Sequence, residues 1–210
     1  AEALQQCIAK ASDIEGGAVM LPTGRFRCGQ TLRIPAGVRL EGVGMGSDPL
    51  NSDLDGTAIL HCGSASSGPL WAMVIEGNFV GVRDLQIVDY HLDGCASNAA
   101  GGILLNGTAR GIESAKFTDI FLYRFTSGTA LKLLASKAGA IFYAEFYSVR
   151  VRYCKVAIHL HAIDDIDSAS CVNSNRFFGG VISGTVDDAA ILIEGPGDNN
   201  QNIFFGITVE

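Results

Sequence analysis

The sequence contains no run of about 18 apolar residues, the length a membrane-crossing helix requires. Proline is scarce, with 5 in 210 residues, so a linker-rich chain is excluded. Charged residues are also few, at 18% against 48% hydrophobic, and that balance excludes disorder. Positive charge is in deficit: the net charge of −7 argues against a nucleic-acid groove, although local basic pairs such as Arg150 and Arg152 can still hold an acidic ligand. No P-loop, G-x-S-x-G or H-E-x-x-H occurs. Gly42-Val43-Gly44-Met45-Gly46 runs into Ser47-Asp48-Pro49 with no helical pattern behind it, so it is not a dinucleotide loop. The six cysteines (Cys7, Cys28, Cys62, Cys95, Cys154 and Cys171) form neither a C-x-x-C pair nor a zinc spacing, and buried free thiols are the plain reading.

What the chain has is glycine, 26 residues of it, and a repeat. A small residue followed by apolar–any–apolar returns at Ala72-Met73-Val74-Ile75, Gly102-Ile103-Leu104-Leu105, Ala130-Leu131-Lys132-Leu133, Ala157-Ile158-His159-Leu160 and Ala190-Ile191-Leu192-Ile193. The steps between first apolar positions are 30, 28, 27 and 33. A second series interleaves with it: Val82 to Ile87, Phe117 to Leu122, Phe146 to Val151, the imperfect Phe178 to Ser183, and Phe204 to Val209. Its turn-forming residues fall at 84, 119, 148, 180 and 206. Strand-like alternation at a fixed period of this length is the mark of a β-solenoid whose coils pair through parallel strands. The spacing predicts one inward column at 73, 103, 131, 158 and 191. It also predicts an internal aromatic stack at Phe117, Phe146, Phe177 and Phe204.

The chain reads as one all-β domain over 1–210, with a short cap helix over 1–15 and coils over 16–210. Leu4, Cys7, Ile8 and Ala11 have helical spacing, and such a helix would cover the open end of the first coil. Residues 47–56, 88–100 and 162–175 read as loops. Asn106-Gly107-Thr108 is a glycosylation sequon but reads first as a turn pair. The abrupt start at Ala1 and the strand pattern still running at Val209 suggest part of a longer chain.

Gly16-Gly17-Ala18-Val19-Met20-Leu21-Pro22-Thr23-Gly24-Arg25-Phe26, followed by Leu32 to Gly44, resembles the opening of the pectate-lyase-like right-handed parallel β-helix superfamily. The likeness covers residues 3–46 and is nearest to the branch of phage tailspikes and bacterial polysaccharide-degrading enzymes. It implies a single-stranded right-handed parallel β-helix, trimeric assembly with coils side by side, and an extracellular or virion-associated setting. It marks activity poorly, because lyases, hydrolases, epimerases, fructan-converting enzymes and non-catalytic adhesins share the superfamily.

Two regions carry residue types suited to such chemistry. His159 and His161 share the outer face of one strand, and Asp164, Asp165 and Asp167 follow; the group suits acid–base work, a divalent metal, or a hydrated turn. Glu145, Tyr147, Arg150 and Arg152 are outward in the second series; arginine clamps carboxylates and tyrosine stacks on sugar rings, unless this is an ordinary solvated face. Glycoside hydrolysis requires two carboxylates, which the aspartate loop with Glu145 or Glu194 would supply. Elimination from a uronic acid requires a base and a cation, for which Lys132, His159 and Arg150 are candidates. A calcium constellation of the pectate-lyase kind cannot be mapped onto the residues.

The reading is therefore a protein that binds and cleaves a polysaccharide or oligosaccharide. Asp164, Asp165, Asp167 and His159 are the catalytic candidates, and Lys132, Glu145, Tyr147, Arg150, Arg152 and His161 the substrate-binding ones. No metal, cofactor, nucleic acid or membrane is expected. The outward column Val74, Leu104, Lys132, His159, Leu192 is expected to pack in a homotrimer, with a sugar-stacking surface and ordinary loop cover as the alternatives. The alternatives are a non-catalytic trimeric fibre segment and a sugar-converting β-helix such as an epimerase or fructan-processing enzyme.

Overall fold

The computed structural model describes residues 2–46, 56–63, 70–90, 99–165, 170–184 and 188–210. They form a parallel β-solenoid behind one N-terminal helix, Glu2–Asp13. The long sheet runs through Gly17–Met20, Val38–Glu41, Gly81–Asp89, Lys116–Tyr123, Glu145–Tyr147, Arg176–Phe178 and Ile203–Phe205. A side branch of the same sheet carries Gly24–Cys28, Thr57–His61, Arg150–Arg152, Val181–Ser183 and Thr208–Val209. The second sheet stacks Leu32–Ile34, Leu70–Ile75, Ala99–Gly107, Thr129–Ala135, Val156–Ala162 and Ala189–Glu194.

The predicted inward column is present. Leu32, Met73, Ile103, Leu131, Ile158 and Ile191 are partners in register from rung to rung, and the first five are buried. The four phenylalanines stack with ring centroids 4.8, 4.4 and 4.6 Å apart and planes within 9° of parallel. That separation is close to the rung spacing of a parallel sheet, about 4.8 Å. Apolar side chains at one register position therefore stack without adjusting the backbone.

The turn column of the second series is a line of left-handed corners. Asp84, Asp119 and Ser148 have φ of 58, 51 and 54°, and Gly179 and Gly206 continue at 64 and 68°. Register places Gly179, not the expected Gly180, opposite Ser148, because Tyr147 pairs with Phe178 and Arg150 with Val181. The corner lets one strand bend without a loop, so the long sheet and its side branch meet there. A second left-handed column opens each turn at Phe79, Ser114, Tyr143, Ser174 and Gln201. Ser174 and Gln201 are joined there by a side-chain hydrogen bond of 3.0 Å, while Phe79 and Tyr143 hold the conformation with their rings exposed.

A third sheet, Ile112–Glu113, Ile141–Phe142 and Val172–Asn173, has no counterpart in the sequence reading. Two-residue strands give no alternation to detect; only Ile112, Ile141 and Val172 point inward, and all three are fully buried. Behind it, Asn175 receives a hydrogen bond at Oδ1 from Ala144 N (3.0 Å) and donates through Nδ2 to Ile141 O (3.3 Å). Asn202, one turn on, accepts from Asn175 N and Nδ2 and donates to Val172 O. The amides satisfy backbone groups at a corner where no strand continues.

The helix does what its spacing implies. Ile8 and Ala11 are buried against the first coil with Leu4 packed beside them, whereas Cys7 faces solvent. All five cysteines among the described residues are free, with Cys28 and Cys154 buried. Asn106 closes its strand by accepting hydrogen bonds from Thr108 N and Oγ1, as the turn reading expects.

Candidate functional site

The outward positions of the long sheet form one face. In register from rung to rung these are Arg39, Gly81, Lys116, Glu145 and Arg176 in one column, and Glu41, Arg83, Thr118, Tyr147, Phe178 and Phe205 in the next. Asp84 and Asp119 stand at the adjoining corner. Over Gly81 the face sinks into a groove of about 480 Å³, lined by Arg39, Glu41, Arg83, Asp84, Lys116 and Asp119 among others. Gly81 makes that space: a Cβ there would come within 2.9 Å of the Arg39 side chain.

Charges in the groove are paired. The buried Glu41 carboxylate accepts from Arg83 Nη2 at 2.7 Å and lies 3.8 Å from Arg39 Nε. This bond and charge raise the Arg83 pKa further, so its guanidinium stays positive. Arg83 Nε also lies 3.7 Å from Asp84. Two rungs further on from Arg83, Glu145 sits 3.8 Å from Lys116 Nζ and 3.6 Å from Arg176 Nη1, and Tyr147 donates its hydroxyl to Glu145 Oε2 at 3.2 Å. Burial and then the Glu145 charge raise the Tyr147 pKa, which keeps the phenol protonated as a donor. Tyr147 and Phe178 stack at 5.2 Å, and Phe205 follows, exposed. The groove thus leads from a charged end onto an aromatic shelf.

A second constellation lies on the outer face of the second sheet. Lys132 pairs in register with His159, and His161 with Glu194. His159 Nε2 is 2.9 Å and His161 Nδ1 3.5 Å from the same Glu194 Oε1, and Lys132 Nζ is 3.2 Å from His161 Nδ1. The two imidazoles stack at 5.2 Å. Burial and the Lys132 charge hold His159 at a pKa of about 4 against the opposing pull of Glu194. The same two causes lower His161, and burial lowers Lys132.

No protein-family model matches the chain, and no curated protein matches it. Three solved chains align with it, among them two of named origin. One is ORF18 of Geobacillus virus E2, 14% identical over 95% of this chain and 46% of that one, with a TM-score of 0.44. The other is the mannuronan C-5 epimerase AlgE4 A-module of Azotobacter vinelandii, 15% identical over 100% of this chain and 92% of that one, with a TM-score of 0.36. This chain spans about half the length of the viral protein. Neither alignment bears on the site.

The structure separates residues that the sequence groups together. Glu145 and Tyr147 lie on the long sheet's outer face beyond the end of the groove, while Arg150 and Arg152 lie past the Ser148 corner on the side branch, by a pocket of about 210 Å³ with Ser183. Lys132, His159 and His161 are on the other sheet, and among the described residues no hydrogen bond or ion pair joins them to Tyr147, Arg150 or Arg152. Asp164 is a loop latch: its Oδ2 accepts from Lys137 N at 2.7 Å, and its own N–H donates to Ser170 Oγ. Asp165 is exposed, and Asp167 lies outside the described residues. Val74 and Leu104, expected to face a partner subunit, are buried within a single chain at 5 and 8% exposure, and only Leu192 of the three is half-buried. The sequence reading missed Arg39, Glu41, Arg83, Asp84 and Asp119. For Asp84 and Asp119 a signal lies in the polar third position of the second series, whereas Arg39, Glu41 and Arg83 are brought in only by register.

Proposed function

We propose that the protein is a carbohydrate-active β-helix that binds a polysaccharide lengthwise on the outer face of the long sheet and hydrolyses it there. The observation that carries this reading is the groove over Gly81. In it Arg39, Arg83 and Lys116 face Asp84 and Asp119, and it leads onto the Tyr147–Phe178 shelf. Cations hold sugar carboxylates or other anionic substituents, a ring stack receives the apolar face of a pyranose, and a linear polymer lies across successive rungs. Asp84 and Asp119 occupy equivalent corners on neighbouring rungs, about 4.8 Å apart along the sheet. Retaining glycosidases hold their two carboxyl groups about 5–5.5 Å apart. One aspartic acid would protonate the leaving oxygen while the other carboxylate attacks the anomeric carbon; water then releases the sugar with the first group as base. Glu41 and Glu145 are tied to arginine and lysine and serve to position those cations.

The likeness of residues 3–46 to the pectate-lyase-like superfamily supports the substrate class, and with it a homotrimer in an extracellular or virion-associated setting. A panel of acidic and neutral glycans tests the reaction, scored for new reducing ends and for the ultraviolet absorbance of an unsaturated uronate. Reducing ends without unsaturation, lost in both Asp84→Asn and Asp119→Asn, are expected. Unsaturated products would instead indicate elimination. Binding without turnover would indicate a fibre segment.

A further inference from the structure

We infer that His159, His161 and Glu194 form a binding site for a divalent metal of the zinc class, in which the ammonium of Lys132 competes with the ion. The two histidines alternate around Leu160 on one strand and so share its outer face; Glu194 is brought beside them by the parallel register His161 to Glu194. Their donor atoms lie within 4.8 Å of one another. Zinc binds imidazole nitrogen at about 2.0–2.1 Å and carboxylate oxygen at about 2.0–2.2 Å, which sets tetrahedral ligand–ligand edges of roughly 3.3–3.5 Å. The nitrogen-to-Glu194 separations of 2.9 and 3.5 Å bracket those edges.

The protonation pattern also suits a cation. Lys132 Nζ approaches His161 Nδ1 at 3.2 Å, and an ammonium can only donate, so that nitrogen presents its lone pair. The same lone pair faces Glu194 Oε1, an acceptor, so a lone pair and a carboxylate converge with one ammonium beside them. Two neutral imidazoles and a carboxylate form a borderline donor set suited to zinc, cobalt or nickel and poorly suited to magnesium or calcium. Glu194 is also held from behind, because Asn199 Nδ2 donates to its backbone oxygen at 3.2 Å. The Glu194 side chain is 45% exposed and that of His161 24%, so an ion can enter from solvent and keep an open position toward it. Bound there, the metal joins Val156–Ala162 to Ala189–Glu194 across two rungs.

The test is a calorimetric titration of the full chain with zinc chloride, repeated with cobalt chloride to read the visible d–d bands of a tetrahedral ion. His161→Ala and Glu194→Gln change half-exposed groups, and circular dichroism checks their fold. One zinc per chain is expected, weakened about tenfold or more in each variant, together with tetrahedral cobalt bands that they abolish. Lys132→Met removes the competing ammonium and should tighten zinc by a comparable factor. Zinc affinity unchanged in both His161→Ala and Glu194→Gln would overturn the site. Affinity unmoved or weakened in Lys132→Met would overturn the competition.

Discussion

Gln5 and Arg33 are joined by two hydrogen bonds in which a side-chain amide stands in for a missing strand. Gln5 Nε2 donates to Arg33 O at 3.0 Å, and Arg33 N donates to Gln5 Oε1 at 2.9 Å. Arg33 lies on the edge strand of the second sheet, whose outer backbone groups would otherwise meet only water or another chain. Gln5→Ala should lower unfolding stability by about 0.5–1.5 kcal/mol, read by chemical denaturation. It should also speed hydrogen exchange at Arg33 more than at Leu131. Equal effects at both amides would show that the pair does not cap the edge.

The aromatic stack gives a larger effect. Phe146 is fully buried between Phe117 and Phe177. Phe146→Ala removes two ring contacts at once and should cost about 3–5 kcal/mol. Phe204, less buried at the last rung, should cost clearly less when changed in the same way.

Leu104 separates the two accounts of the outward column. It is buried within one chain, so Leu104→Ala should lower stability by about 2 kcal/mol or more and leave the mass in light scattering at the wild-type value. A drop in mass with an unchanged melting temperature would restore the interface expected from the sequence.

Acid should loosen the second sheet. His159 has a folded pKa of about 4 against 6.5 for the free side chain, so the folded state resists its protonation. The unfolded chain therefore takes up the proton first. The stability contributed by neutral His159 is complete above pH 6.5 and is lost as pH falls from 6.5 toward 4. His159→Gln should flatten the stability profile across that window, measured by melting temperature in a buffer series. An unchanged slope would place the acid sensitivity elsewhere.

Gly81 offers a test of the groove that leaves its charges in place. Its φ lies outside the left-handed region and it sits on a strand, where a β-branched side chain is well tolerated. Gly81→Val should fill the floor of the groove and push the Arg39 side chain aside. Glycan affinity should fall about tenfold, and the melting temperature should change little. Unaltered affinity would move the glycan off this face.

The fold was legible because its repeat is carried by strands long enough to alternate. Met73, Ile103, Leu131, Ile158 and Ile191 each lie in such a strand, and parallel pairing fixes them in one column. The candidate site was less legible because proximity in a solenoid follows register across turns. Arg39, Arg83 and Lys116 come together from three turns, as do Lys132, His159 and Glu194 on the other sheet. Local clustering misled in the opposite direction. Asp164 is near His161 in sequence, yet its carboxylate is used to hold the Lys137 amide. Tyr147 and Arg150, three residues apart, are divided by the left-handed corner at Ser148.

The amides of Asn175 and Asn202 make the length of this solenoid countable in whole units. They stand 27 residues apart, and each answers the backbone of the preceding turn. A deletion from Asn175 to Gln201 would bring Asn202 to the carbonyl of Ile141 and the amide of Ala144, and would bring Phe204 onto Phe146. The shortened chain would close with its spine intact. A deletion of half that span would bring Asp188 or Ala189 to those groups in place of an asparagine amide. Growth and loss in such a molecule are therefore quantised: a gene segment encoding one complete coil can be gained or removed, whereas fractions of one strand the amide spine.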